Sequence, residues 1–289
     1  MSPRSWLFVP ADDEAKLHKA WAAGADAVIL DLEDSVALER KPHARALAME
    51  FLKARPQPRE RQAWVRINPL ASGLLEDDLA VIVLGAPDGI VLPKPDSAAD
   101  VAALSARLDG LEPAAGLQSG AIRILPIATE TPRALFALGS YADLPPGRLM
   151  GLTWGAEDLP AAVGAETNRA PDGGYTDLCR LARSLALAGA AAAGVPAFET
   201  VYPAFKDTDG LAAYAEQGRR EGFAGMLAIH PAQVETINRV FTPSAEAVAR
   251  ARRIVALFEA SPGAGVLSLD GQMIDAPHLK QALRLIERQ

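Results

Sequence analysis

Glu130 and Asp158 are the acids best placed for chemistry in this chain, because each follows an apolar run. Glu130 closes Ile124-Leu125-Pro126-Ile127-Ala128-Thr129, and Asp158 stands a few residues past Leu149-Met150-Gly151-Leu152-Thr153-Trp154-Gly155. Such runs read as buried parallel strands, and an acid just beyond one lies at the open rim of an α/β fold. In a barrel of alternating strands and helices that rim carries the chemistry. Two acids on neighbouring strand ends suit one hard divalent cation. Mg²⁺ takes one or two carboxylates and leaves its other positions to water and substrate.

Basic residues at the same kind of position complete the set. Arg66 sits inside the apolar stretch Val65-Arg66-Ile67, where a guanidinium is expensive to bury unless it faces an anion. It is either an anion or oxyanion clamp or half of a buried structural ion pair. Asp31, Glu33 and Asp34 end another apolar run, and strand alternation sends Asp31 and Glu33 to one face and Asp34 to the other. One of them is expected to order Arg66, another rim cation or metal-bound water, although any of the three could cap a helix instead. Lys94, closing Val91-Leu92-Pro93, is either paired with a rim acid such as Glu33 or a desolvated amine able to form a Schiff base. The second option leaves Glu130 and Asp158 without a purpose. His230 has no second histidine at metal-ligand spacing and reads as structural or substrate-adjacent. Arg4, before the first apolar run, is a candidate substrate contact and equally an exposed terminal arginine.

Eight short apolar runs must position these groups: residues 6–9, 27–32, 63–67, 89–92, 124–128, 149–153, 198–202 and 226–229. Helix-type segments alternate with them, which predicts βα units and, at this count, a (β/α)₈ TIM barrel. A doubly wound sheet is the alternative, but no G-x-G-x-x-G or Walker sequence follows any strand. Asp12 to Gly24 has an acidic first turn and a terminal glycine. Thr131-Pro132 opens a helix, and another runs from Ser97 to a close at Gly110. The barrel, residues 1–240, is followed by a C-terminal helical and lid extension over 241–289. In it a helix at 244–260 is followed by a break at 261–265, an extended piece, a turn at Asp270-Gly271 and an amphipathic helix.

The 289 residues are 49% hydrophobic and 22% charged, enough for a large core, and the net charge of −7 supplies no basic face for nucleic acid. The single cysteine, Cys179, excludes an internal disulfide. The first ten residues lack a secretory pattern and no apolar stretch reaches membrane length, so the expected location is cytoplasmic and no membrane partner is expected.

Eight segments in order, RSWLFVP, DAVILDLEDSV, VRIN, VLPK, ETP, GAEDL, GFAGMLAIHPAQV and DGQMIDAPHLKQA, span nearly the whole chain. Together they resemble the citrate lyase β-subunit-like proteins of the HpcH/HpaI aldolase superfamily, which include malyl-CoA and citramalyl-CoA lyases. The resemblance implies a (β/α)₈ barrel and a lyase that cleaves, or forms by Claisen-type condensation, a 3-hydroxyacyl-CoA from an acyl-CoA and a 2-oxo acid. It also implies Mg²⁺, or Mn²⁺ in its place, on Glu130 and Asp158, with Arg66 as the oxyanion-stabilising group. Asp275, in Met273-Ile274-Asp275, matches the lid aspartate that serves a neighbouring subunit's site as acid/base, which implies a homotrimer or homohexamer. Glu33, Asp34 and Lys94 are expected beside the substrate with Arg66 and Arg4, whereas Lys16, Arg40 and Lys41 could contact the CoA phosphates but read more simply as solvated charges. Citrate lyase β-subunits proper are expected to end before such a lid. Other readings are a metal-dependent aldolase on free 2-oxo acids and a non-catalytic subunit. Three departures from the family pattern, Pro95, Met226 and Glu199, are expected near the substrate or CoA periphery.

Overall fold

The computed structural model describes residues 2–56 and 59–287. Its strands and helices alternate as β1 (Ser5–Pro10), α1 (Glu14–Ala22), β2 (Ala27–Asp31), α2 (Lys41–Lys53), β3 (Gln62–Arg66), α3 (Leu75–Ile82), β4 (Gly89–Leu92) and α4 (Ala98–Ala114). The order continues through β5 (Arg123–Pro126), α5 (Pro132–Ala137), β6 (Leu152–Thr153), α6 (Asp158–Ala162), α7 (Asp177–Ala192), β7 (Ala197–Glu199), α8 (Thr208–Glu221), β8 (Gly225–Ala228) and α9 (Val234–Phe241). The eight strands are parallel and run β5-β4-β3-β2-β1-β8-β7-β6 across the sheet. Parallel bridges Ile124–Leu149 and Ile127–Thr153 join its two outer strands, closing the ring of an α/β, (β/α)₈-type barrel.

Strand alternation divides the apolar residues between two cores. Leu7, Val28, Leu30, Val65 and Leu92 face the helices, whereas Trp6, Ile29, Trp64, Val91, Leu125 and Phe198 fill the barrel interior. Trp6 meets Trp64 and Phe198 edge-to-face, with centroids 5.0 and 4.8 Å apart. Each such pair adds about 0.5–1.5 kcal/mol beyond area burial. Gly89 makes room for this wedge, because a Cβ there would come within 2.4 Å of the Trp64 ring.

Local signals set most element boundaries. Asp13 caps α1, Thr131 caps α5 with Pro132 in the first turn, and Ser97 with Asp100 forms a capping box on α4. Gly110 does not close α4, which continues to Ala114. Glu112, two residues further, is buried against the guanidinium of Arg148, and that pair holds the extra turn. Expected strand 198–202 stops at Glu199, and 149–153 is a ladder only at Leu152–Thr153, with Leu149 in an isolated bridge.

After α9 the chain forms α10 (Ala245–Glu259), an antiparallel hairpin of β9 (Val266–Leu269) and β10 (Gln272–Asp275), and α11 (Ala276–Glu287). Asp270 and Gly271 turn the hairpin with φ of +52° and +76°, the left-handed pair that a two-residue turn requires. The extended piece thus becomes two paired strands, while Arg288 and Gln289 of the expected terminal helix lie outside the described residues. Ala251, Ile254, Leu269, Ile274 and Ala282 make a separate small core. Gln281, Arg284 and Leu285 border the same cavity as Arg219–Gly222 and Phe241–Ser244, at the end of the barrel where the strands begin. No helix of the described residues is long and apolar enough to cross a membrane.

Candidate active site

Register brings the first two groups together. Asp31 at the end of β2 lies opposite Arg66 at the end of β3, and both continue the inward face of Ile29 and Trp64. Arg66 donates from Nε and Nη2 to the two oxygens of Asp31, at 2.7 and 2.6 Å. Its Nη1 lies 2.9 Å from Glu33 Oε2, and its guanidinium stacks 4.9 Å from the Phe8 ring centroid. Burial alone would raise Asp31, but the hydrogen bonds and charge of Arg66 hold it below the usual carboxylate range. Burial opposes the charge of Arg66 in the same way, and Asp31 and Glu33 more than restore it. Asp31 also accepts the backbone N–H groups of Glu33 and Ser35, so the acid that holds Arg66 shapes the following loop.

That loop delivers Glu33 and Asp34 to Lys94. The lysine ammonium reaches Glu33 at 2.5 Å, Asp34 at 3.0 Å and Asp158 at 3.3 Å. Burial lowers the Lys94 pKa, but these three carboxylates outweigh it and the net shift is upward. A Schiff-base nucleophile needs the opposite shift, so this environment argues against that role. Lys94 is also held at φ +51°, unusual for a residue with a side chain. Its backbone N–H donates to Glu130 Oε2 at 2.6 Å.

Glu130 follows β5 and is buried, while Asp158 opens α6 with its side chain partly exposed. Burial, then the charge of Asp158, raises the Glu130 carboxyl well above the usual carboxylate range. Two acids this close at a barrel mouth, one of them raised by burial and by its neighbour's charge, fit a shared cation. Gly155 keeps the space beside Glu130 open, since a Cβ there would stand 2.9 Å from Glu130 Cγ and 3.2 Å from Oε1. Among the described residues no group of three or more His, Cys, Asp or Glu side chains is arranged to hold a metal. The protein's share is therefore two oxygen donors, the mode Mg²⁺ accepts.

Several expected residues lie elsewhere. Arg4 precedes β1, at the opposite end of the barrel, where it donates to Asp26 from Nε and Nη2 at 2.8 Å and to Thr242 at 2.7 Å. It does not join the cluster at the mouth. Asp275, the last residue of β10, pairs with His278 at 2.5 Å within the extension. Glu199 and Met226 are buried away from the mouth. Glu199 faces the helices and binds Trp154, Tyr214 and Arg183, whereas Met226 packs in the core between sheet and helices. His230 caps the turn at Pro231 and stacks on Phe205.

Lys41, read from sequence as a solvated charge, is buried. Its ammonium donates to the carbonyls of Leu32 and Glu33 and to Asn68 Oδ1, at 2.7, 2.9 and 2.7 Å. It thereby fixes the loop carrying Glu33 and Asp34. Its position just after an acidic loop was the available signal, but the carbonyls it meets are not visible in residue types.

Comparison with known proteins fits this frame. The profile of the HpcH/HpaI aldolase/citrate lyase family matches residues 4–231. The chain belongs to that family. It is 37% identical to the citrate lyase subunit beta of Haemophilus influenzae, over 99% of this chain and 96% of that protein. A (3S)-malyl-CoA thioesterase of Cereibacter sphaeroides is 35% identical over 99% and 94%. Among solved structures, the protein CitE of Mycobacterium tuberculosis in complex with magnesium, acetoacetate and coenzyme A superposes with a TM-score of 0.77. It is 34% identical, covering 99% of this chain and 98% of that one. The near-complete overlap with a citrate lyase β-subunit corrects the expectation that such subunits end before the extension.

Proposed function

We propose that this chain is a Mg²⁺-dependent carbon–carbon lyase acting on a 3-hydroxyacyl-CoA of the malyl or citramalyl type. The observation that carries the reading is the meeting of Glu130, Asp158 and Arg66 at one barrel mouth, joined through Lys94 and the Asp31–Asp34 loop. The cation bound to the CitE relative alongside coenzyme A supports the same assignment here. Glu130 and Asp158 would hold the cation, which when bound supplies Lewis acidity to the oxygens of the 2-oxo acid portion. Arg66, locked by Asp31, faces the charge that develops on the reacting oxygen, a contact worth about 3–4 kcal/mol in a transition state. In cleavage the hydroxyl proton passes to solvent water, its oxygen becomes the carbonyl of the 2-oxo acid as the bond to the thioester α-carbon breaks, and that bond's electron pair passes to an acyl-CoA enolate. Asp275 returns a proton to that α-carbon, and in condensation it removes one.

The extension supports service in trans. Cross-strand pairing puts Val266, Ser268, Met273 and Asp275 on one face of the hairpin. Val266 and Met273 are 60% and 62% exposed, so among the described residues this face is left largely open. The extension also borders the far end of its own barrel. The active unit in this reading is a homotrimer or homohexamer, each barrel (1–240) completed by a neighbour's extension (241–289), working in the cytoplasm.

Two relatives favour second readings: cleavage of a citryl thioester, as in a citrate lyase β-subunit, and hydrolysis of malyl-CoA. Product analysis separates them. Malyl-CoA or citramalyl-CoA supplied with Mg²⁺ should give acyl-CoA and a 2-oxo acid. Citryl-CoA would instead give acetyl-CoA and oxaloacetate, and a thioesterase would release free CoA thiol and the hydroxy acid. Turnover of the first kind supports the proposal, and turnover confined to either of the others overturns it.

A further inference from the structure

Lys94 touches both acids assigned to the cation, through different atoms. Its backbone N–H, aimed by a left-handed φ of +51°, donates to Glu130 Oε2 at 2.6 Å. Its ammonium approaches Asp158 closest at Oδ1, 3.3 Å away, while anchored to Glu33 and Asp34. Among the described residues, the Glu130 hydrogen bond and the Asp158 ion pair engage these two oxygens. One oxygen of each carboxylate is thus taken by Lys94, and Oε1 of Glu130 and Oδ2 of Asp158 are left to a ligand. The space beside Oε1 is the space that Gly155 keeps open.

The number of oxygens a carboxylate can offer separates hard cations. Ca²⁺ takes six to eight oxygens at about 2.3–2.6 Å and accepts carboxylates in two-oxygen mode. Mg²⁺ demands a tight octahedron at about 2.0–2.1 Å and uses one oxygen from each of a few carboxylates. We propose that Lys94 is a positioning residue that sets the cation preference of this site by restricting Glu130 and Asp158 to one oxygen each. Non-glycine residues in the left-handed region persist where the surroundings over-determine them, and they cluster at functional sites. Here the surroundings are three carboxylates on the side chain and a fourth on the N–H, with Pro95 fixing the chain beyond.

This inference rests on the cation site proposed above, and calorimetric titration of the chelator-stripped full chain with Mg²⁺ and with Ca²⁺ tests both. Lys94→Met keeps the backbone donor and frees Asp158 for two-oxygen coordination. Affinity for Ca²⁺ relative to Mg²⁺ should rise at least tenfold over wild type. Lys94→Met combined with Glu33→Gln removes one charge of each sign and should give the same shift, which guards against a single variant that fails to fold. Wild type that binds Mg²⁺, with an unchanged ratio in both variants or an equal loss of both cations, overturns the role of Lys94 alone. Wild type that binds neither cation overturns the cation site and this inference with it.

Discussion

Asp31 and Arg66 form a two-bonded pair between directly opposed strand ends, with both side chains withdrawn from solvent. Neither oxygen of Asp31 is spare, because the loop N–H groups of Glu33 and Ser35 also use them. In the proposed reaction Asp31 would act only through Arg66 and the loop, whereas Arg66 turns its Nη1 to Glu33.

Asp31→Asn should be costly for stability. Removing one partner of a buried pair leaves the other charge uncompensated, typically at about 3–5 kcal/mol. The sign of the pH dependence follows from the depressed folded value of Asp31, below the ordinary 3.8. Between the two values the unfolded chain binds the extra proton, so this pair's stabilisation is present above about 3.8 and fades as pH falls toward the folded value. Urea titrations of wild type and variant should therefore differ most near neutral pH and converge in acid.

Arg66→Lys keeps a charge but loses the two-pronged grip on Asp31. With Mg²⁺ present, kcat should fall by about 10²–10³-fold, with a smaller effect on the KM for the acyl-CoA. Steady-state kinetics in the condensing direction reads both parameters.

Glu130→Gln separates stability from activity. The native carboxyl is raised by burial and by Asp158, so a neutral amide should leave the chelated protein melting at or above wild type. Mg²⁺ should then give no thermal stabilisation, and activity should fall by more than the ~10–100-fold that outer-shell changes cost. A scan with and without Mg²⁺ checks both halves, and a lower melting temperature in chelator would contradict the account.

Asp275→Asn chains should lose cleavage, and so should Glu130→Gln chains. If the hairpin serves a neighbour, mixed oligomers hold some sites with an intact barrel and an intact lid. Activity should return on mixing denatured and refolded variants, although neither regains it alone. Continued silence in a mixture shown to be hetero-oligomeric would place Asp275 in its own chain's site or outside the reaction.

The barrel was legible because its signals are local: apolar runs of fixed length, capping residues before helices, and acids closing strands. Glu130, Asp158 and Arg66 were singled out from residue type and position, and the structure brings them to one mouth. Alternation placed Asp31 and Glu33 on one face, and both meet Arg66. Arg4 was misplaced because a strand's sequence does not say which end of the barrel an adjacent charge will occupy when a partner such as Asp26 waits at the other. Lys41 was misjudged for a different reason. Its partners are two carbonyls and an amide rather than carboxylates, so no pattern of charges announced them. Gly110 failed as a helix stop because the Glu112–Arg148 pair, 36 residues apart, outweighs a local preference.

The wedge of Trp6, Trp64 and Phe198 has a consequence for traffic. These rings are completely or almost completely buried inside the barrel, so among the described residues they stopper its axis. Everything that reaches Glu130 arrives by the mouth where the strands end, and leaves by the same door. A thioester seated in the mouth would share that path with the cation. With the bottom of the barrel stoppered, cation and substrate share a single entrance.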